Sequence, residues 1–257
     1  MTDSGRQFVK TGDAAALAMF QAEAAGLAAL RATSAVRVPE VFSCGIIGGR
    51  ASIALEYLDL RPFDRNSGAA LGEALAQLHG TTGPRFGWPS DNFIGATPQE
   101  NEWRDNWALF YADRRLRPQL KLATRRGMER KLADQGESIA ERIGAFFVAY
   151  QPVASLLHGD LWGGNAGALP DDTPVIYDPA AYYGDRETDI AMSELFGGFP
   201  ESFYASYRLA WPLDTGFETR KTLYNLYHVL NHFNLFGAGY LGQARRMIEK
   251  LLAELRG

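Results

Sequence analysis

The sequence predicts an α+β chain of two unequal lobes, the first small and partly β, the second larger and mainly helical. Three observations carry this. A strand, an alanine-rich helix and a hairpin follow one another within residues 6 to 58; helical spacing takes over after L-D-L-R-P; and two short apolar runs, 154–158 and 174–178, interrupt the helices. The boundary falls near Leu58 to Pro62, dividing the chain into residues 1–61 and 62–257. A chain of 257 residues is long enough for such a division and for a sizeable core.

Arg6 to Lys10 reads as a short strand, turned at Thr11-Gly12. Ala14 to Ala32 should be a helix, because Asp13 can accept the orphan N–H groups of its first turn and alanine has the highest helix propensity. Pro39 ends the next loop. V-F-S-C-G-I-I and R-A-S-I-A-L-E-Y-L then flank Gly48-Gly49, a two-residue glycine turn that signals a hairpin. Leu71, Leu75 and Leu78, with Ala74 between them, share one face of a helix ending at Gly80. Residues 99–123 and 127–149 continue in helical style, punctuated by Gly127. A-S-L-L-H and P-V-I-Y-D are short enough to be strands. From Asp189 onward the pattern is helical again, with breaks at Gly197-Gly198 and Pro212.

Composition excludes several classes. Apolar residues at 46% and charged residues at 22% are ordinary for a globular protein, unlike disordered, collagen-like or disulfide-scaffold chains. The net charge of −4 has the wrong sign for neutralising phosphate backbones, so no nucleic-acid partner is expected. Cys44 stands alone and forms neither an intrachain disulfide nor a cysteine metal site. The first ten residues lack the apolar core of a signal peptide, and the least charged long stretch, His228 to Ala244, is too polar for a membrane span. A cytoplasmic protein with no membrane partner is expected.

The segment that carries chemistry is His158-Gly159-Asp160-Leu161-Trp162-Gly163-Gly164-Asn165. It fits the kinase catalytic-loop pattern H-x-D-L-x-x-x-N, in which the Asp takes the proton of the attacking hydroxyl and the Asn holds magnesium. Asp160 is therefore the candidate base and Asn165 a candidate metal ligand. Thirteen residues later, V-I-Y-D-P puts Asp178 at the end of a predicted strand, where kinases place a second metal-binding carboxylate. Mg²⁺ takes oxygen ligands, usually one or two carboxylates plus substrate phosphates. His158 reads as an orienter of the loop backbone. In the small lobe, Lys10 and Glu23 are placed to be the lysine–glutamate pair that fixes ATP phosphates. Glu56-Tyr57-Leu58 becomes the lobe connector, whose main-chain groups at Glu56 and Leu58 can bond an adenine edge.

These motifs extend into a longer series: F-x-A-E-A-x-G-L (20–27), L-E-Y-L (55–58), F-G-W-P-S-D-N-F-I-G-x-T-P-Q-x-N (86–101), H-G-D-L-W-G-G-N (158–165) and Y-D-P-A-x-Y-Y-G-D-R-E-x-D-I-A-M-S-E-L-F-G-G-F (177–199). The chain resembles the fructosamine kinase (ketosamine-3-kinase) family of aminoglycoside-phosphotransferase-like kinases from F-V-K to near its end. General aminoglycoside kinases share the H-G-D and D-P pieces without this series. The resemblance implies a bilobal protein-kinase-like fold, ATP and Mg²⁺, and phosphorylation of a sugar hydroxyl on a ketosamine, which destabilises the adduct and promotes deglycation. By matching position, Asp160 is the base, Asn165 and Asp178 the metal ligands, and Lys10 with Glu23 the phosphate-orienting pair. Trp162 resembles an aromatic platform for the sugar-amine. Asp189 resembles the carboxylate that buttresses the catalytic loop. Asn92, Gln99, Asn101 and Trp103 either stabilise a long loop or touch substrate, and Tyr182 and Tyr183 either line the cleft or pack in the core. His228 and His232 have metal-like spacing, but no H-E-x-x-H context supports zinc, and they read as structural.

One departure stands out. Kinases of this group carry two strands joined by a glycine-rich loop ahead of the lysine strand, and no such segment precedes Lys10 here. The small lobe therefore reads as truncated. Weak ATP binding is expected, with either poor order in that lobe or a homo-oligomer covering the bare strand edge. The alternatives in function are a kinase-like binding protein with impaired turnover, or a small-molecule kinase of the aminoglycoside or choline type.

Overall fold

The computed structural model of the chain describes residues 6–256. Gly48 and Gly49 take φ of 57° and 79°, so the chain reverses in two residues between β2 (Val41–Ile47) and β3 (Arg50–Glu56). β1 (Gln7–Gly12) pairs antiparallel with β3, giving the order β1-β3-β2. β1 is longer than expected: Thr11 and Gly12, read as a turn, pair with Ser52 and Ala51 because β3 offers partners that far. Among the described residues no strand pairs with the outer edge of β1.

Asp13 accepts from the Ala16 N–H, and a single 3₁₀ turn, Ala14–Ala16, leads into α1 (Leu17–Ala32). Phe20, Leu27 and Leu30 of α1 join Ala51, Ile53 and Leu55 of the sheet in the buried core, each large side chain contributing about 1.5–3 kcal/mol. Beyond the sheet, the N–H and C=O of Arg61 exchange bonds with Ala168, both 2.9 Å, tying the connector to the second part of the chain.

α2 (Arg65–His79) begins with a capping box between Asp64 and Ser67 and buries Leu71, Leu75 and Leu78 as its spacing predicted. It packs along α7 (Glu201–Ala210). The helix expected over 99–123 starts only at Trp107. β4 (Asn92–Ile94) and β5 (Thr97–Gln99) form a small hairpin, and the chain runs without regular structure to α3 (Trp107–Tyr111), capped by Asn106. The reason is chemical: the amides of Asn92, Gln99 and Asn101 are drawn into one buried hydrogen-bonded group. A π turn carries α3 into α4 (Arg117–Arg125), and the second expected helix is α5 (Arg130–Glu141) followed by a 3₁₀ segment.

Both expected strands form. β6 (Ser155–Leu157) pairs with β9 (Tyr182–Gly184), and β8 (Pro174–Ile176) with β7 (Ala166–Ala168); β7 and β9 were not foreseen. α6 (Glu187–Leu195), α7, α8 (Phe217–Phe236) and α9 (Leu241–Glu254) complete the helical part, with an additional break at Gly237. No helix among the described residues is long and apolar enough to cross a membrane.

Candidate active site

The loop after β6 is held from below. Gly159 has φ 84°, and a Cβ there would lie 2.1 Å from the Ala180 carbonyl oxygen, so only glycine lets segment 158–165 lie against 178–181. Asp189, buried in the first turn of α6, accepts from the N–H groups of His158 (2.7 Å) and Gly159 (2.8 Å) and pairs with His79 Nε2 at 3.2 Å. Burial alone would raise its pKa, but the bonds from His79 and Gly159 outweigh this and hold it below the usual carboxylate value. His158 Nδ1 lies 3.2 Å from the Asp160 N–H and accepts from it, which leaves Nε2–H to donate to the Tyr177 carbonyl at 2.9 Å. His158 thus orders backbone, the role expected of it.

Asp160 sits in the loop with its two oxygens in different surroundings. Oδ2 accepts from Asn165 Nδ2 at 3.1 Å, and the same amide donates to the Asp160 carbonyl at 2.9 Å. Oδ1 accepts no hydrogen bond among the described residues and faces His228 Nδ1 across 3.9 Å. Withdrawal from water and the negative charge of Asp178 push the Asp160 carboxyl up to about 7, opposed by the Asn165 donor.

The two parts of the chain meet at Lys10. Its Nζ donates to Glu23 Oε1 and Oε2 (2.9 and 3.0 Å) and to Asp178 Oδ1 (2.8 Å). Burial works against the ammonium charge, yet the carboxylates of Asp178 and Glu23 overcome it and raise the Lys10 pKa. Asp178 is in the left-handed region, φ 59°, and its side chain is half exposed. A backbone conformation of this kind is uncommon away from glycine and concentrates at functional sites. The Asp178 carboxylate and the side-chain oxygen of Asn165 are hard donors of the kind Mg²⁺ takes. No group of three or more His, Cys, Asp or Glu side chains able to hold a metal occurs among the described residues, so further ligands would come from phosphate and water. The donor set fits magnesium.

Lys10 and Glu23 line two cavities. One, about 320 Å³, is lined by Phe8, Leu55, Tyr57, Leu58 and Tyr177 at the connector. Among the described residues the main-chain N–H and C=O of Leu58 make no main-chain hydrogen bond, whereas the Glu56 N–H donates to the Glu40 carbonyl at 2.8 Å and its carboxylate pairs with Arg37. The other, about 160 Å³, is lined by Met19, Asn92, Phe93, Asp160, Asp178 and Pro179.

Trp162 is half-buried and meets Phe196 edge-on at 6.0 Å; Phe196 in turn lies 4.6 Å from the His232 ring. Gln99 donates to Asn92 Oδ1 at 2.8 Å, and Asn92 donates to the Ala181 carbonyl at 2.9 Å. Asn101 donates to Asn92 Oδ1 and accepts from the buried Arg115, both at 2.7 Å. Of the two roles left open for these three residues, the structure shows loop fixation. Trp103 packs on Tyr183 at 6.1 Å, and Tyr182 lies in the core beneath the Arg115 guanidinium at 4.1 Å. Sequence reasoning passed over His228 as structural. Its spacing from His232 suggested only a metal, and no motif connects α8 to the loop it touches.

Residues 1–254 match the family described as fructosamine kinase. A protein from Synechocystis named "Probable ketoamine kinase" is 47% identical over 96% of this chain and 83% of its own. The chloroplastic protein-ribulosamine 3-kinase of Arabidopsis thaliana is 42% identical over 99% of this chain and 78% of its own. The crystal structure of a candidate fructosamine-3-kinase from Haemophilus somnus superposes with a TM-score of 0.88 at 34% identity, covering 96% of this chain and 83% of that one. A protein-kinase-like fold whose catalytic loop, lysine–glutamate pair and family-specific block all lie within this match makes the chain a member of the fructosamine kinase family.

Proposed function

We propose that this protein transfers the γ-phosphoryl group of Mg·ATP to a sugar hydroxyl of a ketosamine and so promotes deglycation. That it is an ATP-dependent small-molecule kinase follows from its family; the acceptor and the residue roles are the reading offered here. The observation that carries it is the convergence of Asp160, Asp178, Lys10 and Glu23 on one cavity, with Asn165 hydrogen-bonded to Asp160.

The apolar connector cavity suits an adenine, with the free main-chain groups of Leu58 toward its edge. Lys10, held by Glu23, meets phosphate oxygens. Asn165 and Asp178 would hold a magnesium ion, which when bound would supply positive charge against the phosphates. Asp160 Oδ1, which Asn165 leaves without a hydrogen bond, accepts the proton of the acceptor hydroxyl. Trp162 offers an aromatic face to the C–H side of the sugar and to a cationic amine. The names of the relatives, ketoamine kinase and protein-ribulosamine 3-kinase, support a ketosamine acceptor. The test is ATP consumption against ribulosamines, erythrulosamines and fructosamines, with an aminoglycoside and choline as controls. Turnover restricted to the ketosamines is expected. Turnover of choline or the aminoglycoside alone would overturn the acceptor class, and no turnover of any would favour a binding protein.

A further inference from the structure

His228 is a buried polar group beside the proposed phosphotransfer site that the proposed function does not use. It lies on the α8 turn facing the catalytic loop, packed edge-on against Tyr227 at 5.1 Å, with 5% of its side chain exposed. Its carbonyl is occupied, accepting from His232 Nδ1 at 2.8 Å. Its own Nδ1 is fully buried and has no hydrogen-bond partner. A buried ring nitrogen left unpaired costs free energy, and such atoms are rare enough in folded proteins to require an explanation. The nearest carboxylate oxygen is Asp160 Oδ1, the oxygen that Asn165 leaves unbonded, 3.9 Å away. That gap is about one ångström longer than a hydrogen bond. Two unpaired atoms of complementary kind thus face each other beside the reacting centre.

We propose that His228 is a positioning residue for the transfer: when nucleotide is bound, the neutral imidazole donates its Nδ1–H to Oδ1 of Asp160. Asn165 already donates to Oδ2, so the carboxylate is then fixed at both oxygens. Its remaining lone pairs are aimed at the acceptor hydroxyl and it no longer turns about its χ2 bond. Burial keeps the ring neutral, pushing its pKa down to about 3, so the residue offers a hydrogen bond and not a competing charge. The inference rests on the reading of Asp160 as the base. It adds a residue whose loss slows the chemical step without touching nucleotide or metal.

The experiment combines kinetics with a measurement independent of turnover. In His228→Leu, which keeps apolar volume and removes the donor, kcat on a ribulosamine is expected to fall about tenfold to a hundredfold, the range for a hydrogen bond to a charged group. The KM for Mg·ATP stays unchanged. His228→Asn restores an N–H near the Nδ1 position and should recover most of the rate, which a purely structural role would not predict. In parallel, spectra of ¹⁵N-histidine-labelled protein with Mg²⁺ and AMP-PNP should show His228 protonated on Nδ1 and bare on Nε2, with the Nδ1–H signal moving upfield in Asp160→Ala. The opposite tautomer, or a signal indifferent to Asp160→Ala, overturns the proposal whatever the enzyme phosphorylates. A leucine variant with wild-type kcat, or an asparagine variant no better than leucine, does the same. Failure of the wild type to turn over any ketosamine falls on the proposed function and leaves the spectra to decide the role of His228.

Discussion

Replacing Asp189 by Asn tests how the catalytic loop is held. The carboxylate accepts two main-chain N–H bonds, at 2.7 and 2.8 Å, one on each oxygen, and a third contact from His79 at 3.2 Å. Asparagine keeps the shape but offers a single acceptor oxygen, so its NH₂ must point at one of two N–H donors. One buried main-chain N–H is left unpaired, at about 1–3 kcal/mol. The bond that survives loses its charge assistance, which is about half its strength. The sum is about 2–5 kcal/mol. At about 2–4 °C per kcal/mol for a chain of this size, Tm should fall by about 4–20 °C. The same loosening displaces Asp160 relative to its acceptor, and a misplacement of about an ångström costs up to about a hundredfold in rate. Calorimetry gives the Tm shift and steady-state kinetics the kcat; the KM for Mg·ATP, on the nucleotide placement proposed above, should change much less. A variant within about 2 °C and about threefold of the wild type would show that the buried carboxylate does not hold the loop.

Asp160→Asn should remove about 10²- to 10⁴-fold of kcat with little loss of Mg·ATP affinity by titration calorimetry, whereas Asp178→Ala should weaken Mg·ATP binding as well as rate. Equal and mild effects of the two would contradict the roles assigned. Trp162→Ala should raise the KM for the sugar-amine more than that for ATP; unchanged sugar-amine kinetics would return the ring to the core. The lowered pKa of Asp189 has a signed consequence: its stabilisation is present above its ordinary value of 3.8 and is lost as pH falls through the lower folded value. Wild-type melting curves below pH ~4 should therefore drop more steeply than those of Asp189→Asn, and parallel curves would remove this group from the acid transition.

What the sequence disclosed followed local rules. The Gly48-Gly49 hairpin, the Asp13 helix start and the leucine face of α2 each depend on neighbours a few residues away, and each was readable. The segment 158–165 stood out because its residue spacing matches the kinase loop pattern. Residues 99–106 depart from helical spacing because the amides of Gln99 and Asn101 bond to Asn92, and Asn101 also to Arg115, partners outside the segment. β7 and β9, of three residues each, are defined only by the strands they pair with. His228 shows the same limit: its meaning lies in an oxygen that α8 approaches only after folding.

The hairpin of β4 and β5 has a consequence for the order in which the molecule assembles. Three residues a side cannot hold a two-stranded ribbon together in water, so this hairpin has no independent existence. Its amides close onto Ala181 and Arg115, which lie 89 and 14 residues distant from Asn92 and Asn101 respectively. Loop-closure entropy makes such long-range contacts slow to form. The hairpin and the turn bearing Asp178 therefore become ordered together, late and as one step. A chain caught just before that step has its helices packed and its connector in place but no fixed Asp178 carboxylate beside Lys10. Hydrogen exchange should show the amides of 92–101 and 178–182 opening as a single unit, ahead of the helices around them.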